Sequence, residues 1–194
     1  SWDEYMKQVS YFTGNGTKYG VVNQGSKADP IAMEWSNYLY ANGGRFHDEN
    51  WHGELTSAAA KKALADYIHN LNNHGPIGAA SFGFDEAFNV AAQGQAYSYI
   101  TYNWFMPSYE DASQSGVVGK MALAPVPDNG SLNGAWGWAI PTSSPNADAA
   151  WEFIKWVESP EIVLKRALMG GAPTRKDAFT NPEVLAKYPH YGAL

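Results

Sequence analysis

Eight tryptophans and twelve tyrosines stand among 194 residues, and several lie beside amides and glycines rather than inside apolar runs. In Tyr102-Asn103-Trp104 two aromatic rings flank an amide at the end of a β-rich stretch, and Gly134-Ala135-Trp136-Gly137-Trp138 follows the same theme ahead of Pro141. These residue types suit recognition. A flat ring offers an apolar face, and a neighbouring amide, arginine or backbone group supplies hydrogen bonds. A sugar ring presents the complement, with C–H groups on its face and hydroxyls on its rim. Trp104 and Trp136 favour such a role because they sit at strand ends and glycine-rich turns. Trp138 lies deeper in its run and divides evenly between core and cleft. Trp151 and Trp156, on a helix, read as core or as a half-buried helix face.

Other chemistries find less support. The chain has no cysteine, which excludes disulfides, thiolate nucleophiles and thiolate metal sites. The five histidines are scattered, and His47-Asp48 with His52 is the nearest approach to a metal cluster, without ligand spacing on a helix face. That stretch reads as a polar surface loop, and no metal is expected. Neither a nucleophile elbow nor a phosphate-cradling glycine loop occurs. Glu34, Asp85 and Glu86 are the acids that glycoside hydrolysis would need. Nothing pairs them, and Asp85-Glu86 opens a helix, where acids suit the dipole. The net charge of −6 argues against nucleic acid, which demands a basic patch. No apolar run approaches the roughly 20 residues of a membrane span. No leader pattern precedes the first helix signals, so an exported protein of this sequence would be a processed or trimmed form.

Local signals divide the chain into helices and strands. Asp29-Pro30 reads as a cap and first turn, with Ile31, Trp35, Tyr38 and Leu39 on one face and Gly43-Gly44 as the stop. A second helix starts near Thr56 or Ser57 and ends at Gly75-Pro76, and a third covers about 84–93. Strands are expected at 18–24, 95–104, 120–127 and 135–141, with a turn at Asp128-Asn129-Gly130. In the last strand Trp136 and Trp138 would share a face. Three helices follow, opened by Asn146, by Ser159-Pro160-Glu161 and by Asn181-Pro182-Glu183. On the first of them Phe153, Ile154 and Val157 form a face suited to pack on a sheet. The mixture is α/β without strict alternation.

Three stretches in this order, DEAFNVAAQGQAYSYITYNW (85–104), GKMALAPVPDNGSLNGAWGWAIPTSSPNADAAWEFIKWVESPE (119–161) and GGAPTRKDAF (170–179), resemble the sugar-class extracellular solute-binding proteins of ABC importers, the group that contains maltose-binding protein. The likeness covers nearly the whole chain and is most specific from Gly134 to Arg175. It implies an α/β, periplasmic-binding-protein-like (type II) fold of two lobes, with ligand in the cleft between them. It further implies a non-enzymatic, cofactor-free receptor, periplasmic or extracellular, that hands a sugar or sugar alcohol to an ABC permease in the membrane. Members of the group are much longer, so the chain is expected to be a fragment. Residues 1–129 would be the central part of the second lobe, and residues 130–194 the hinge crossing and the segment returning toward the first. By resemblance Trp136 edges or stacks on the sugar, Trp104 with Asn103 forms a second platform, and Trp138 lies at the crossing. Arg175 would donate hydrogen bonds near the hinge; a solvated surface arginine is its equal alternative. The apolar face of the segment after Pro141 would be bare in a fragment and would be covered by self-association, through exchange of the 146–170 helices between chains, or by folding back onto the second-lobe half. Two rival functions stay open: a glycoside hydrolase or lyase using the same aromatic platforms, and a carbohydrate-recognition module outside transport.

Overall fold

The computed structural model describes residues 1–193; Leu194, the last residue of the second expected segment, lies outside them. The chain divides into two compact units, Ser1–Asn133 and Gly134–Leu194.

The first unit is built around two parallel strands, β1 (Tyr19–Val22) and β2 (Ala96–Tyr99), paired with Tyr19 opposite Ala96 and Val22 opposite Tyr99. Helix α1 (Trp2–Phe12) precedes them, although no helix is expected there from the sequence reading. Its signals are local: the Ser1 hydroxyl accepts from Glu4 N–H, Asp3 and Glu4 occupy the first turn, and Trp2 and Val9 are buried. Gly20 permits its close approach, because a Cβ there would meet the Val9 carbonyl. Between the strands run α2 (Asp29–Ala41), α3 (Ala58–Asn73) and α4 (Phe84–Ala92), the long crossover that parallel strands require. Ser57 caps α3 by accepting from Ala60 N–H. In α2, Asp29 is already helical and the cap position falls to Ala28, at φ 92°. Asp29 is therefore the first helical residue rather than the cap.

Two apolar clusters hold this unit. Val22, Phe88, Ala91, Met106 and Tyr109 join β1, α4 and the short α5 (Met106–Tyr109). Trp2, Tyr38, Leu39, Ala63 and Tyr67 join α1, α2 and α3. The expected strand at 95–104 is shorter than its pattern: after Tyr99 the chain turns into a 3-10 helix at Asn103–Phe105. Residues 120–127 form no ladder. Met121 and Leu123 pack inward while Ala122 and Ala124 are exposed, so the two-residue alternation of a strand is present. A hydrogen-bonded neighbour is what the run lacks, since a groove of about 510 Å³ separates it from the edge of β2. The turn falls at 127–129 as expected, with Asp128 and Asn129 at φ 55° and 59° and the Asp128 carboxylate accepting from Trp2 N–H at 2.7 Å.

The second unit carries α6 (Ala147–Val157), α7 (Pro160–Leu168), α8 (Lys176–Phe179) and α9 (Pro182–Lys187). Ala167, Val184 and Tyr191 form its small core. Asn181 caps α9 by accepting from Glu183 and Val184 N–H, whereas Asn146 precedes α6 without capping it. Residues 135–141 are not a strand, and among the described residues this unit has none. The expected packing of Phe153, Ile154 and Val157 on a sheet therefore does not occur within it, and α6 buries no residue. A strand needs a ladder to a partner's backbone groups, and among the described residues no ladder or bridge includes 135–141.

Candidate ligand-binding site

In the first unit the site residues come from the turn that ends β2. Extended Thr101 and Tyr102 lead into the 3-10 helix, which turns Trp104 outward and sends Phe105 toward Phe88, its ring centre 5.4 Å away. Trp104 is 51% exposed and leans on Phe105 at 4.9 Å, with Tyr102 at 6.2 Å and Phe84 at 6.5 Å. One side of the indole is thus anchored in the core and the other is free. Phe84 stands at the first turn of α4, whose start is stabilised by Glu86 accepting from Gly83 N–H at 2.9 Å. Burial, helped by the negative charge of Asp29, raises the Tyr102 hydroxyl above its ordinary value, so it stays a neutral donor and acceptor. Asn103 is half-buried, and its amide meets no partner among the described residues. Sequence reasoning found Tyr102, Asn103 and Trp104 but missed Phe84, whose only signal was its place at a helix start.

The second unit presents its own aromatic group. Trp138 is 57% exposed, packs edge-on against Phe153 at 5.8 Å, and donates its indole N–H to Glu158 Oε1 at 3.1 Å. Glu158 also accepts from the Thr174 hydroxyl at 2.7 Å and from Arg166 at 3.4 Å, and Arg166 in turn donates to Thr174 at 2.9 Å. The Thr174 bond foremost, then those from Trp138 and Arg166, holds the Glu158 carboxyl below the usual range. Glu158, Arg166 and Thr174 were not singled out from sequence, because a network spanning sixteen residues leaves no local pattern. Arg175 follows Thr174 directly, but its guanidinium clasps Asp177 through Nε at 3.1 Å and Nη2 at 3.0 Å. Its donors are partly spent on its own helix start. Trp136 is 94% exposed and has no ring neighbour among the described residues. With no strand at 135–141, Trp136 and Trp138 do not share a pleated face. The structure therefore places Asn103 beside Trp104 and ties Trp138 through Glu158 to Thr174, while the Arg175 side chain turns to Asp177.

Two of the three acids considered for hydrolysis, Glu34 and Glu86, are engaged within the fold, while Asp85 is exposed on the first turn of α4. Glu34 is fully buried, accepting from the Asn23 amide and from Gln24 N–H at 2.6 Å, and Glu86 is occupied with the start of α4. Among the described residues no helix is long and apolar enough to cross a membrane.

Residues 1–163 match the family of bacterial extracellular solute-binding proteins. A mannitol-binding protein of Pseudomonas aeruginosa is 32% identical over 151 residues, 74% of this chain and 35% of that protein. A probable amino-acid ABC transporter periplasmic-binding protein of Sinorhizobium fredii is 27% identical over all 194 residues, 44% of its length. The chain thus spans less than half the length of these relatives. Among solved structures, an ABC transporter solute-binding protein from Agrobacterium radiobacter in complex with ribitol aligns with a TM-score of 0.83 at 30% identity, covering 98% of this chain and 50% of that one. The fold is accordingly that of type II periplasmic-binding proteins, of which this chain is about half. The chain belongs to the bacterial extracellular solute-binding protein family.

Proposed function

We propose that these residues form part of a receptor that binds a sugar or sugar alcohol outside the cytoplasm and presents it to an ABC import permease. The observation that carries the reading is the Trp104 platform, an indole anchored on Phe105 with one face free, flanked by the Tyr102 hydroxyl and the unpartnered Asn103 amide. Aromatic face and adjoining donors match the two faces of a carbohydrate or polyol. The relative named for mannitol and the neighbour holding ribitol support that class over the amino acids suggested by the other relative. Trp136, Trp138 and Arg175 are assigned to the same ligand. Residues 1–129 belong to the central part of the second lobe, and 130–194 to the crossing and the return toward the first. Lobe closure is then a population shift driven by contacts that form only when both lobes engage the ligand. The work is binding rather than catalysis, consistent with the spent or buried acids above.

A thermal-shift screen of the full-length protein against ribitol, D-mannitol, maltose and the amino acids tests this reading. A ligand at a hundred times its dissociation constant stabilises by about 2.7 kcal/mol. A shift confined to amino acids, or cleavage of an oligosaccharide during incubation, would overturn it.

A further inference from the structure

We propose that His69 and His74 form a binding site for one divalent first-row transition-metal ion, separate from the aromatic surfaces. The pair lies near the end of α3, His69 just before its last turn and His74 at the cap. Their Nε2 atoms are 3.3 Å apart, the ring centres 5.1 Å apart and the planes inclined by 67°. Two Zn–N bonds of about 2.0–2.1 Å at a tetrahedral angle place donor nitrogens about 3.3–3.4 Å apart and ring centres about 5 Å apart. Both separations agree with the observed geometry.

The hydrogen bonds around the pair prepare one lone pair for an ion. Thr13 donates its hydroxyl proton to the Val9 carbonyl at 2.8 Å, so its oxygen is left to accept from His74 Nδ1 at 2.9 Å. His74 therefore carries its proton on Nδ1 and aims the Nε2 lone pair at His69. His69 Nδ1 lies 3.2 Å from the Asn73 amide nitrogen, so without metal its Nε2–H points along the edge shared with His74. An incoming ion takes the place of that proton, which passes through solvent to Nδ1 with no net release. The exposed Asn73 amide then gives up its 2.9 Å bond to the His69 carbonyl and turns its oxygen to accept it. The C-terminal carbonyls of α3 favour a cation at this place. Because the described residues contain no group of three or more His, Cys, Asp and Glu that could hold a metal, the ion would keep water in its remaining positions. The stretch with the most suggestive sequence, His47 to His52, is different: His52 pairs with the Asp48 carboxylate, and His47 stacks on Trp51.

Calorimetric titration of the purified, tag-free protein with ZnCl2 and NiCl2 tests the site, and imidazole nitrogen NMR spectra identify the rings. One ion should bind per chain, and Ni²⁺ should broaden the His69 and His74 signals while sparing His47 and His52. His69→Ala should weaken binding at least about tenfold, the lower bound for loss of even an outer partner of a metal ligand, and His52→Ala should leave it unchanged. Circular dichroism checks that His69→Ala is folded, and the wild-type spectra decide the matter without any variant. Absence of binding at millimolar ion, broadening confined to other histidines, or unchanged affinity in folded His69→Ala would overturn the proposal.

Discussion

Helices α2 and α6 invert what their compositions suggest. α2 carries a glutamate, a serine and an asparagine in its middle, yet Glu34, Ser36, Asn37, Tyr38 and Leu39 are all buried. α6 carries two tryptophans, a phenylalanine and an isoleucine, yet nothing on it is buried. The difference lies in what surrounds each helix. α2 is enclosed by α1, α3 and the end of β1, where Glu34 and Tyr38 find partners. The Tyr38 hydroxyl accepts from the Asn23 and Asn70 amides at 3.0 and 2.9 Å, and Tyr67 donates to the Gln24 carbonyl at 2.6 Å. α6 belongs to a unit whose small core is made by α7, α8 and α9. Amphipathicity states which face a helix can bury; a second surface decides whether it does.

Truncations should separate the two helices most widely. Leu39→Ala in α2 should cost about 2–5 kcal/mol, since the side chain is wholly enclosed. Phe153→Ala in α6, where the ring is 48% exposed, should cost under about 1 kcal/mol in this chain. Urea unfolding of both variants measures the contrast, and equal losses would mean that α6 is covered in solution, as self-association would do.

The buried acid of α2 offers a second, somewhat smaller effect. Burial raises the Glu34 carboxyl from an ordinary value of 4.5 to about 8, overcoming the opposing hydrogen bonds from Gln24 and Asn23. The folded chain thus holds a proton that the unfolded chain releases near pH 4.5. Its stabilising contribution is complete below that pH, declines as pH rises through about 8, and then levels off. The decline is on the order of a few kcal/mol. Glu34→Gln should flatten the pH dependence of stability between those limits. An unflattened curve would show that Glu34 is ionised in the fold.

Binding gives the finest contrast. Trp104→Ala should weaken ligand binding by the full-length protein by about 1 kcal/mol or more, with little loss of stability because half of the ring is exposed. Trp136→Ala, at a side chain 94% exposed, should leave stability unchanged, so a loss of affinity there reports contact with ligand. Normal binding by both variants, measured by calorimetry, would remove these tryptophans from the site.

Much of the helical frame was legible from punctuation. Ser57, Ser159-Pro160 and Asn181-Pro182 mark helix starts because caps and first-turn prolines act within one turn, and α3, α7 and α9 appear where these signals lie. The same cues were present for α1 in Ser1-Trp2-Asp3-Glu4 and went unread. Strands were less legible, because their pattern describes faces and not partners. The 120–127 run has strand-like alternation without a ladder, and 135–141 has β-forming residues without a neighbour. Of the candidate site, Tyr102-Asn103-Trp104 could be found as a contiguous motif. Glu158, Arg166 and Thr174 around Trp138 could not, because their contacts join distant positions.

By itself, the sequence determined the inventory of this protein: its helix punctuation, its aromatic and amide pairs, its lack of thiols, and its membership in a family of solute receptors. These depend on residue types and on spacings of a few positions, over which propensity and capping operate. Tertiary structure alone decided that Glu34 is enclosed while Phe153 is half bare, that Trp138 is tied to Glu158, and that His69 meets His74. Each of those outcomes is set by what packs across from a residue, and burial and hydrogen-bond partnership arise only when separate elements meet.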